Sequence, residues 1–234
     1  MTALLAQVQI RDRTADTCVS ANGLCPNWIA DNFDRYVTPF FQHVLLTVVA
    51  LAIGFAIAFT LALIAYRRRW LVNPVTQVTG VLYTIPSIAA FFLLLPITGR
   101  GFVTATIALV AYSLLIIFRN VLAGLDNVPD ETKDAGRGMG LTSRQLLWRV
   151  EVPLALPEIL AGLRIAATTT VGLATLAFFA GAGGLGEQIF ADINFKSNVL
   201  VAGGLAVALA AVLDGGILLF QRALTPWTRA VASR

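Results

Sequence analysis

Long apolar runs constrain this chain more than any other feature. Several reach the roughly 20 residues that a helix needs to cross the hydrocarbon core of a bilayer. They lie approximately at Phe40–Tyr66, Pro74–Ile97, Phe102–Phe118, Pro157–Phe179 and Asn198–Phe220. Only 13% of the residues are charged, against roughly 25% in a soluble domain. The sequence therefore predicts an all-α, multi-pass protein of the cell (inner) membrane with about five transmembrane helices.

The basic residues indicate how these helices are oriented. If the Arg67–Arg69 cluster after the first run is cytoplasmic, the predicted crossings place 12 of the 17 Lys and Arg residues inside and 5 outside. Lys and Arg collect on the cytoplasmic side of membrane proteins. We therefore expect the N-terminus outside and the C-terminus inside.

These boundaries divide the chain into three expected parts. Residues 1–38 form an external segment, in which Trp28–Tyr36 has the pattern of a short amphipathic helix on the membrane surface. Residues 39–225 form the transmembrane domain, whose largest cytoplasmic loop is 126–156. Residues 226–234 form a cytoplasmic tail.

The largest cytoplasmic loop carries the signals of two short helices. Gly140 suits the break between them. Thr142 and Gln145 have the spacing of a capping box, which predicts that a second helix starts there. Pro153 and Pro157 are expected to end this second helix and to lead the chain back into the membrane.

The second helix of the loop has an amphipathic pattern. Leu146, Leu147 and Trp148 stand beside Arg144 and Arg149. Such a helix either lies against lipid headgroups or binds a protein partner. The pattern alone leaves both alternatives open.

The loop resembles a signature of importer-type ABC permeases, written EAA, three residues, G, nine residues, I, any residue, L, P. The matching positions are Asp134, Ala135, Gly136, Gly140, Val150, Glu151, Val152 and Pro153. Asp replaces Glu, Gly replaces the second Ala, and Val replaces both Ile and Leu, whereas the spacing, Gly140 and Pro153 fit. The resemblance implies a type I importer fold and a coupling helix that docks on a cytoplasmic ATPase, with Arg144 on the docking surface.

Four further stretches resemble the osmoprotectant branch of these permeases, which imports glycine betaine, choline, carnitine and related quaternary amines. They are HVLLTVVALAIG from His43, YTIPSIAAF from Tyr83, RVEVPLALPEILAGLRIA from Arg149 and GAGGLGEQIFADI from Gly181. The resemblance implies three partners: cytoplasmic ATPases, a second permease chain and an external solute-binding protein. A permease for methionine or a phosphonate, and a scaffold that moves no solute, remain alternatives.

Several chemical functions find no support in the sequence. A P-loop needs a Lys after glycine, and neither Lys133 nor Lys196 follows one. ATP and Mg²⁺ would therefore be bound by a partner ATPase, and this chain is not expected to be an enzyme. The GxGxxG match at Gly181 follows a membrane run instead of a strand, which argues against a dinucleotide site. No nucleic-acid partner and no metal site are expected, and His43 is expected at the membrane interface.

Two cysteines lie close together in the external segment. In an oxidising compartment, Cys18 and Cys25 can close a small disulfide loop around Asn22-Gly23, a good turn dipeptide. Two unpaired thiols are the alternative.

Two features inside the runs are candidates for function. Pro86 is expected to kink the second run and to free backbone carbonyls, so Tyr83, Thr84, Pro86 and Ser87 are candidates for the translocation path. Asp214 is an acid inside a predicted span. Arg164 should lie at a similar depth, and we expect the two to form an intramembrane ion pair or an intersubunit contact. A cage for a quaternary amine would be built from aromatic faces, and more of the candidates near the spans look like packing and interface residues than like such a cage. They are Tyr66, Tyr83, Phe91, Phe92, Tyr112, Phe118, Phe178 and Phe179.

Overall fold

The computed structural model describes residues 17–226. This part of the chain is helical and contains no strand. The helices are α1 (Thr17–Ser20), α2 (Pro26–Asp31), α3 (Asp34–Arg67), α4 (Val72–Thr84), α5 (Ser87–Thr98), α6 (Phe102–Asp126), α7 (Asp130–Gly138), α8 (Ser143–Leu146), α9 (Val152–Ala174), α10 (Leu185–Ala191) and α11 (Lys196–Leu224). Most of the expected segment 1–38 is included, but residues 1–16 and nearly all of the expected tail 226–234 lie outside the described residues.

Three described helices, α3, α6 and α11, are long and apolar enough to cross a membrane. The pair α4 and α5 adds a fourth candidate span if it counts as one, although it is bent by 98°. The predicted span Pro157–Phe179 overlaps α9, which ends at Ala174 and is not among these candidate spans, so the described residues contain three or four candidates where about five were predicted. The predicted all-α membrane fold is confirmed.

The bundle is centred on α6, which packs between α3 and α9. Small residues allow these helices to approach closely. A Cβ added at Gly54 of α3 would lie 2.0 Å from Ser113 Oγ of α6, and one at Gly162 of α9 would lie 2.3 Å from Asn120 Cβ. Alanines fill much of the remaining interface. By contrast, α11 packs mainly on α9 and leaves most of its apolar surface exposed.

One local expectation differs from the structure. The expected amphipathic helix Trp28–Tyr36 is divided between α2 and the first turn of α3, and Tyr36 is fully buried. His43 is also fully buried, where its Nε2 lies 3.1 Å from the carbonyl oxygen of Val171. His43 therefore points into the bundle, because α9 and the segment after it cover this face of α3.

We name the two ends of the bundle by their landmarks. The loop end carries residues 126–156, which we call the signature loop. The disulfide end carries the bonded Cys18 and Cys25, together with α10 and the start of α11.

Candidate functional site

The first helix of the signature loop is α7, which starts after Pro129 with two acidic residues in its first turn. This placement favours the helix because its amino end carries partial positive charge. Gly140 has φ +82°, a backbone conformation that L side chains rarely adopt, and it makes the sharp turn after α7. Gly136 is buried, and a Cβ there would lie 2.5 Å from Leu146 Cδ1. The Gly at the second Ala position of the signature therefore makes room for Leu146.

The second helix begins with the predicted capping box, which is confirmed. The Thr142 backbone N–H donates to Gln145 Oε1 at 2.9 Å, and the Gln145 N–H donates to Thr142 Oγ1 at 3.4 Å. The helix does not end at the prolines, so that expectation is wrong. It continues through a π-helical turn, Leu147–Glu151, into α9, where Pro153 occupies the first turn and Pro157 lies inside the helix. The π-helical turn has already interrupted the regular bonding before Pro153, because the Val152 N–H donates to the Leu147 carbonyl five residues back.

The exposed surface of the signature loop is mostly polar. Leu146 and Leu147 are buried against the rest of the bundle, while Trp148 is half-exposed. Asp134, Ala135, Gly140 and Arg144 are exposed around Met139, whose exposed fraction is 76%. Glu151 is only 6% exposed, so the structure does not place it on this surface with the others.

Charges on α7 are paired within the helix. Arg137 Nη1 lies 2.7 Å from Asp134 Oδ1, and Lys133 Nζ lies 3.2 Å from Asp130 Oδ1. Desolvation lowers the pKa of Lys133, but hydrogen bonds and charge interactions with Asp130 and Tyr66 outweigh it, and the net pKa is raised. The Asp134 side chain stays 69% exposed despite its pairing with Arg137, so its carboxylate remains accessible.

The chain breaks between α4 and α5 instead of merely kinking. Helix α4 ends at Thr84, Ile85 and Pro86 are extended, and α5 begins at Ser87. The Tyr112 hydroxyl donates a hydrogen bond to the carbonyl oxygen of Ile85. This partner satisfies a polar group that would otherwise be costly inside a membrane. Tyr83 lies edge-on to Tyr112 with ring centroids 6.0 Å apart.

Arg164 and Asp214 join α9 to α11. Arg164 Nε lies 2.7 Å from Asp214 Oδ1, and Arg164 Nη2 lies 2.8 Å from Asp214 Oδ2. Both side chains are part-buried. Such a bidentate pair fixes the relative rotation of the two helices.

At the disulfide end, the loop closed by Cys18 and Cys25 holds the start of α11. We call this arrangement, residues 18–25 with 194–198, the disulfide clasp. Asn22 Nδ2 donates to the Asn194 carbonyl at 2.7 Å, and Asn22 Oδ1 accepts from the Lys196 N–H at 3.0 Å. The buried Ser197 hydroxyl accepts from the Cys25 N–H at 2.9 Å and donates to the Gly23 carbonyl at 3.0 Å.

Sequence reasoning missed the residues that support these sites. Tyr112 lies 27 residues from Ile85, and the Tyr36 hydroxyl donates to Asn198 Oδ1 across 162 residues at 2.7 Å. The spacing of Cys18 and Cys25 and the Asn22-Gly23 turn were local signals for the disulfide loop, but neither indicated that the loop binds the start of α11.

Comparison with known proteins decides the family. A family model described as "Binding-protein-dependent transport system inner membrane component" matches residues 50–229. The chain belongs to this family. It is therefore a multi-pass permease of the cell membrane and a transport component of the ABC importer class.

Several members of the permease family with assigned solutes are similar over most of the chain. The osmoprotectant import permease OsmW of Salmonella typhimurium is 38% identical over 207 residues, which are 86% of this chain and 96% of OsmW. The carnitine transport permease OpuCB of Listeria monocytogenes is 35% identical, with coverage of 84% and 91%. The choline permease OpuBB of Bacillus subtilis is 34% identical, with coverage of 80% and 87%.

The permease fold is also seen in a solved ABC importer. An inward-facing structure of the methionine transporter MetNI superimposes with a TM-score of 0.74 at 25% identity, covering 81% of this chain and 96% of that one. The expected type I importer fold is confirmed.

Proposed function

We propose that this permease is the transmembrane subunit of an ATP-driven importer of quaternary-amine osmoprotectants, such as glycine betaine, choline or carnitine. The similarity to osmoprotectant, carnitine and choline permeases at 34 to 38% identity is the observation that carries the solute class. The methionine alternative has weaker support, because its transporter is 25% identical.

The signature loop is proposed to dock a cytoplasmic ATPase, which binds ATP and Mg²⁺. Its apolar residues Leu146 and Leu147 face the protein interior, whereas Met139, Trp148 and Leu154 keep apolar surface exposed. The exposed tip around Asp134, Gly140 and Arg144 suits a polar protein groove. A docked partner is therefore favoured over an interfacial helix.

This assignment sets the proposed orientation. The loop end is cytoplasmic and the disulfide end is external, where an oxidising compartment permits a disulfide. A solute-binding protein would deliver solute to the disulfide end, and a second permease chain would complete the path. Closure of the ATPases would move the signature loops of the two chains together, and α9 would transmit this movement because it continues directly from the loop.

Inside the bundle, the break at Tyr83, Thr84, Pro86 and Ser87 is proposed to line the translocation path. Tyr83, Thr84 and Pro86 are exposed on the single chain. Irregular backbone at membrane depth is tolerated only beside protein or a water-filled cavity, and an exposed break of this kind suits a path between two chains.

The Arg164–Asp214 pair is proposed to be structural. Replacing Asp214 with Asn should lower the yield of assembled complex, since Arg164 loses its charged partner. The double change Arg164→Gln and Asp214→Asn should recover part of that yield. Normal assembly of the single variant with a selective loss of transport would contradict this proposal.

The solute is tested by ATPase activity of the purified complex in lipid with its binding protein. The panel is glycine betaine, choline, carnitine, methionine and a phosphonate. We expect stimulation by at least one quaternary amine and none by methionine or the phosphonate. Stimulation by methionine alone would replace the proposed solute class, and failure to copurify any ATPase would favour a scaffold.

The coupling role of the loop is tested by Gly140→Val with Gly138→Val as the matched control. An added Cβ meets no atom within 4 Å at either glycine, and of the two only Gly140 has a positive φ. Left-handed backbone costs a non-glycine residue about 1–2 kcal/mol. We expect Gly140→Val to abolish solute-stimulated ATPase activity while Gly138→Val retains most of it. Equal loss in both variants would indicate a general helix effect.

A further inference from the structure

Phenylalanine rings from three elements meet in one cavity near the disulfide end. Phe92 belongs to α5, Phe178 and Phe179 to the short helix Ala177–Ala180, and Phe190 to α10. Ring centroids lie 4.2 Å apart for Phe178 and Phe179, 4.9 Å for Phe178 and Phe190, and 5.9 Å for Phe92 and Phe179. Three of the aromatic residues that look scattered along the chain, Phe92, Phe178 and Phe179, are thus brought together here with Phe190.

The same cavity, of about 550 Å³, is lined by one cation and one anion, Arg100 and Glu187. Its size falls within the roughly 300–1,000 Å³ typical of small-molecule pockets. Within the described part of the chain, neither charged side chain forms an ion pair. Both charges are therefore available to a ligand.

Glycines let the two charged side chains lie against the backbone. A Cβ at Gly181 would be 3.2 Å from Arg100 Nε, and a Cβ at Gly183 would be 3.4 Å from Glu187 Oε2. The loop is also anchored on both sides. The Gly101 N–H donates to the Ala180 carbonyl at 2.7 Å, and the Gly184 N–H donates to Gln42 Oε1 at 3.2 Å. These contacts hold the walls of the cavity in place.

The chemistry of the lining favours one class of ligand. Phe92 and Phe190 are 49% and 56% exposed, so their rings are accessible. Accessible aromatic faces attract quaternary ammonium groups through their π electrons, and the Glu187 carboxylate adds a favourable charge. Arg100 offers a guanidinium to a carboxylate on the same ligand. A lipid chain is a poor occupant because both charges would lose their solvation.

We infer that this aromatic pocket binds a small quaternary ammonium solute, and that a zwitterion carrying a carboxylate, such as glycine betaine or carnitine, is held at both ends. The ammonium group lies against Phe92 and Phe190 near Glu187, and the carboxylate lies near Arg100. The inference rests on the proposed function, because it supplies a receiving site for the solute at the external end of the permease.

Direct binding to the permease–ATPase complex in nanodiscs, without the binding protein, tests the pocket. The probes are glycine betaine, choline and 3,3-dimethylbutanol, a neutral analogue of choline in which carbon replaces nitrogen. We expect saturable binding of both quaternary amines and at least about fivefold weaker binding of the neutral analogue, the range expected for cation–π attraction. Equal binding of choline and its neutral analogue would overturn the inference.

Single substitutions test which phenylalanine rings contact the quaternary ammonium group. Phe190→Leu and Phe92→Leu keep apolar bulk but remove the π face, so each should weaken both quaternary amines about two- to tenfold. Phe220→Leu is the matched control, since Phe220 is 57% exposed at the opposite end of α11. Unchanged binding in both pocket variants would show that the rings serve packing alone and would overturn the inference.

Charge variants separate the two ends of the ligand. Arg100→Gln should weaken glycine betaine severalfold and leave choline unchanged, because choline has no carboxylate. Glu187→Gln should weaken both. Choline binding also serves as the folding control for Arg100→Gln. Equal weakening of both ligands by Arg100→Gln would contradict the assignment of the carboxylate end.

Uptake into proteoliposomes with the binding protein separates this inference from the proposed function. Wild-type uptake of a quaternary amine, combined with unchanged binding in the pocket variants, would overturn the pocket and leave the function intact. No uptake of any quaternary amine, combined with the expected nanodisc binding pattern, would overturn the solute assignment and leave the pocket as a binding site.

Discussion

The two ends of the bundle are built from contacts of opposite range. At the loop end, Thr142 pairs with Gln145 three residues away. At the disulfide end, Asn22 bonds to Lys196 across 174 residues and Cys25 to Ser197 across 172. The capping box of the signature loop is thus a local feature, although the loop also makes longer-range contacts such as the ion pair between Arg69 Nη1 and Asp126 Oδ1 at 2.7 Å. The clasp, by contrast, exists only when the whole bundle has assembled.

Gly186→Ala should have the largest effect and would test how tightly the disulfide end is packed. An added Cβ would lie 1.6 Å from the backbone carbonyl oxygen of Thr175, which cannot rotate away. Overpacking of this kind costs typically about 1–3 kcal/mol and occasionally more, and we expect the upper end. The measurement is the thermal midpoint and monodisperse yield of the purified permease.

Gly172→Ala is the control for that change, because an added Cβ at Gly172 meets no atom within 4 Å. Helix propensity even favours Ala there. If Gly186→Ala and Gly172→Ala were equally stable, α10 would have shifted to relieve the clash. The disulfide end would then not be tightly packed, as the comparison of the two ends requires.

Replacing Cys18 and Cys25 with Ser should have the next largest effect. Their separation of 7 residues closes a short loop, for which the chain-entropy estimate is roughly 2.5 kcal/mol. The hydrogen bonds of Asn22 and Ser197 remain, so the clasp should loosen and not disappear. The thermal midpoint should fall, and a reducing agent should lower the wild type to the same value without affecting the double variant. An unchanged midpoint would show that the hydrogen bonds alone hold the clasp.

The contrast between local and long-range contacts explains how much of the fold and of the candidate sites could be predicted from the sequence. Apolar length and composition predict helices in a membrane, and the spacing of Thr142 and Gln145 predicts a cap, because both depend on neighbouring residues. The hydrogen bond from Tyr112 to the Ile85 carbonyl depends on how α4 and α6 pack, and no local pattern encodes it. The aromatic pocket is even harder to predict from the sequence, because its rings come from three separate elements.

Two prolines near the end of the signature loop also show that packing can override a local sequence signal. Pro153 and Pro157 were expected to stop a helix, yet the helix passes through both. Proline disrupts a helix interior because it lacks an N–H and because its ring clashes with the carbonyl of residue i−4. At Pro153 the preceding π-helical turn has already interrupted the regular bonding pattern. Tertiary packing of α9 against α6 then holds the remaining helix together.

Thr142→Ala tests the capping box of the signature loop, and we expect it to have a smaller effect on stability. Loss of a capping side chain costs about 1 kcal/mol, and the two bonds of the lost hydroxyl both involve Gln145. Hydrogen exchange should accelerate in the first turn of α8 and remain unchanged at the disulfide end. Thr142→Ser is the control, because its hydroxyl can still accept the bond. Faster exchange in the clasp would show that the two ends are energetically coupled.

Gly136→Ala should have the smallest effect, and it is the sharpest counterpart to Gly186→Ala because the substitution is the same. The added Cβ would lie 2.5 Å from Leu146 Cδ1, the far end of a flexible side chain, and no closer to any backbone atom. Leu146 can shift by a rotamer change, and the gain in helix propensity of up to about 1 kcal/mol offsets part of that cost. We expect a change in unfolding free energy within about 1 kcal/mol and near-normal solute-stimulated ATPase activity. Gly136→Val, whose branched side chain meets Leu146 directly, should be clearly worse. A loss of stability as large as that of Gly186→Ala would mean that the signature loop is packed as rigidly as the disulfide end. The two ends would then differ only in the sequence separation of the residues in contact.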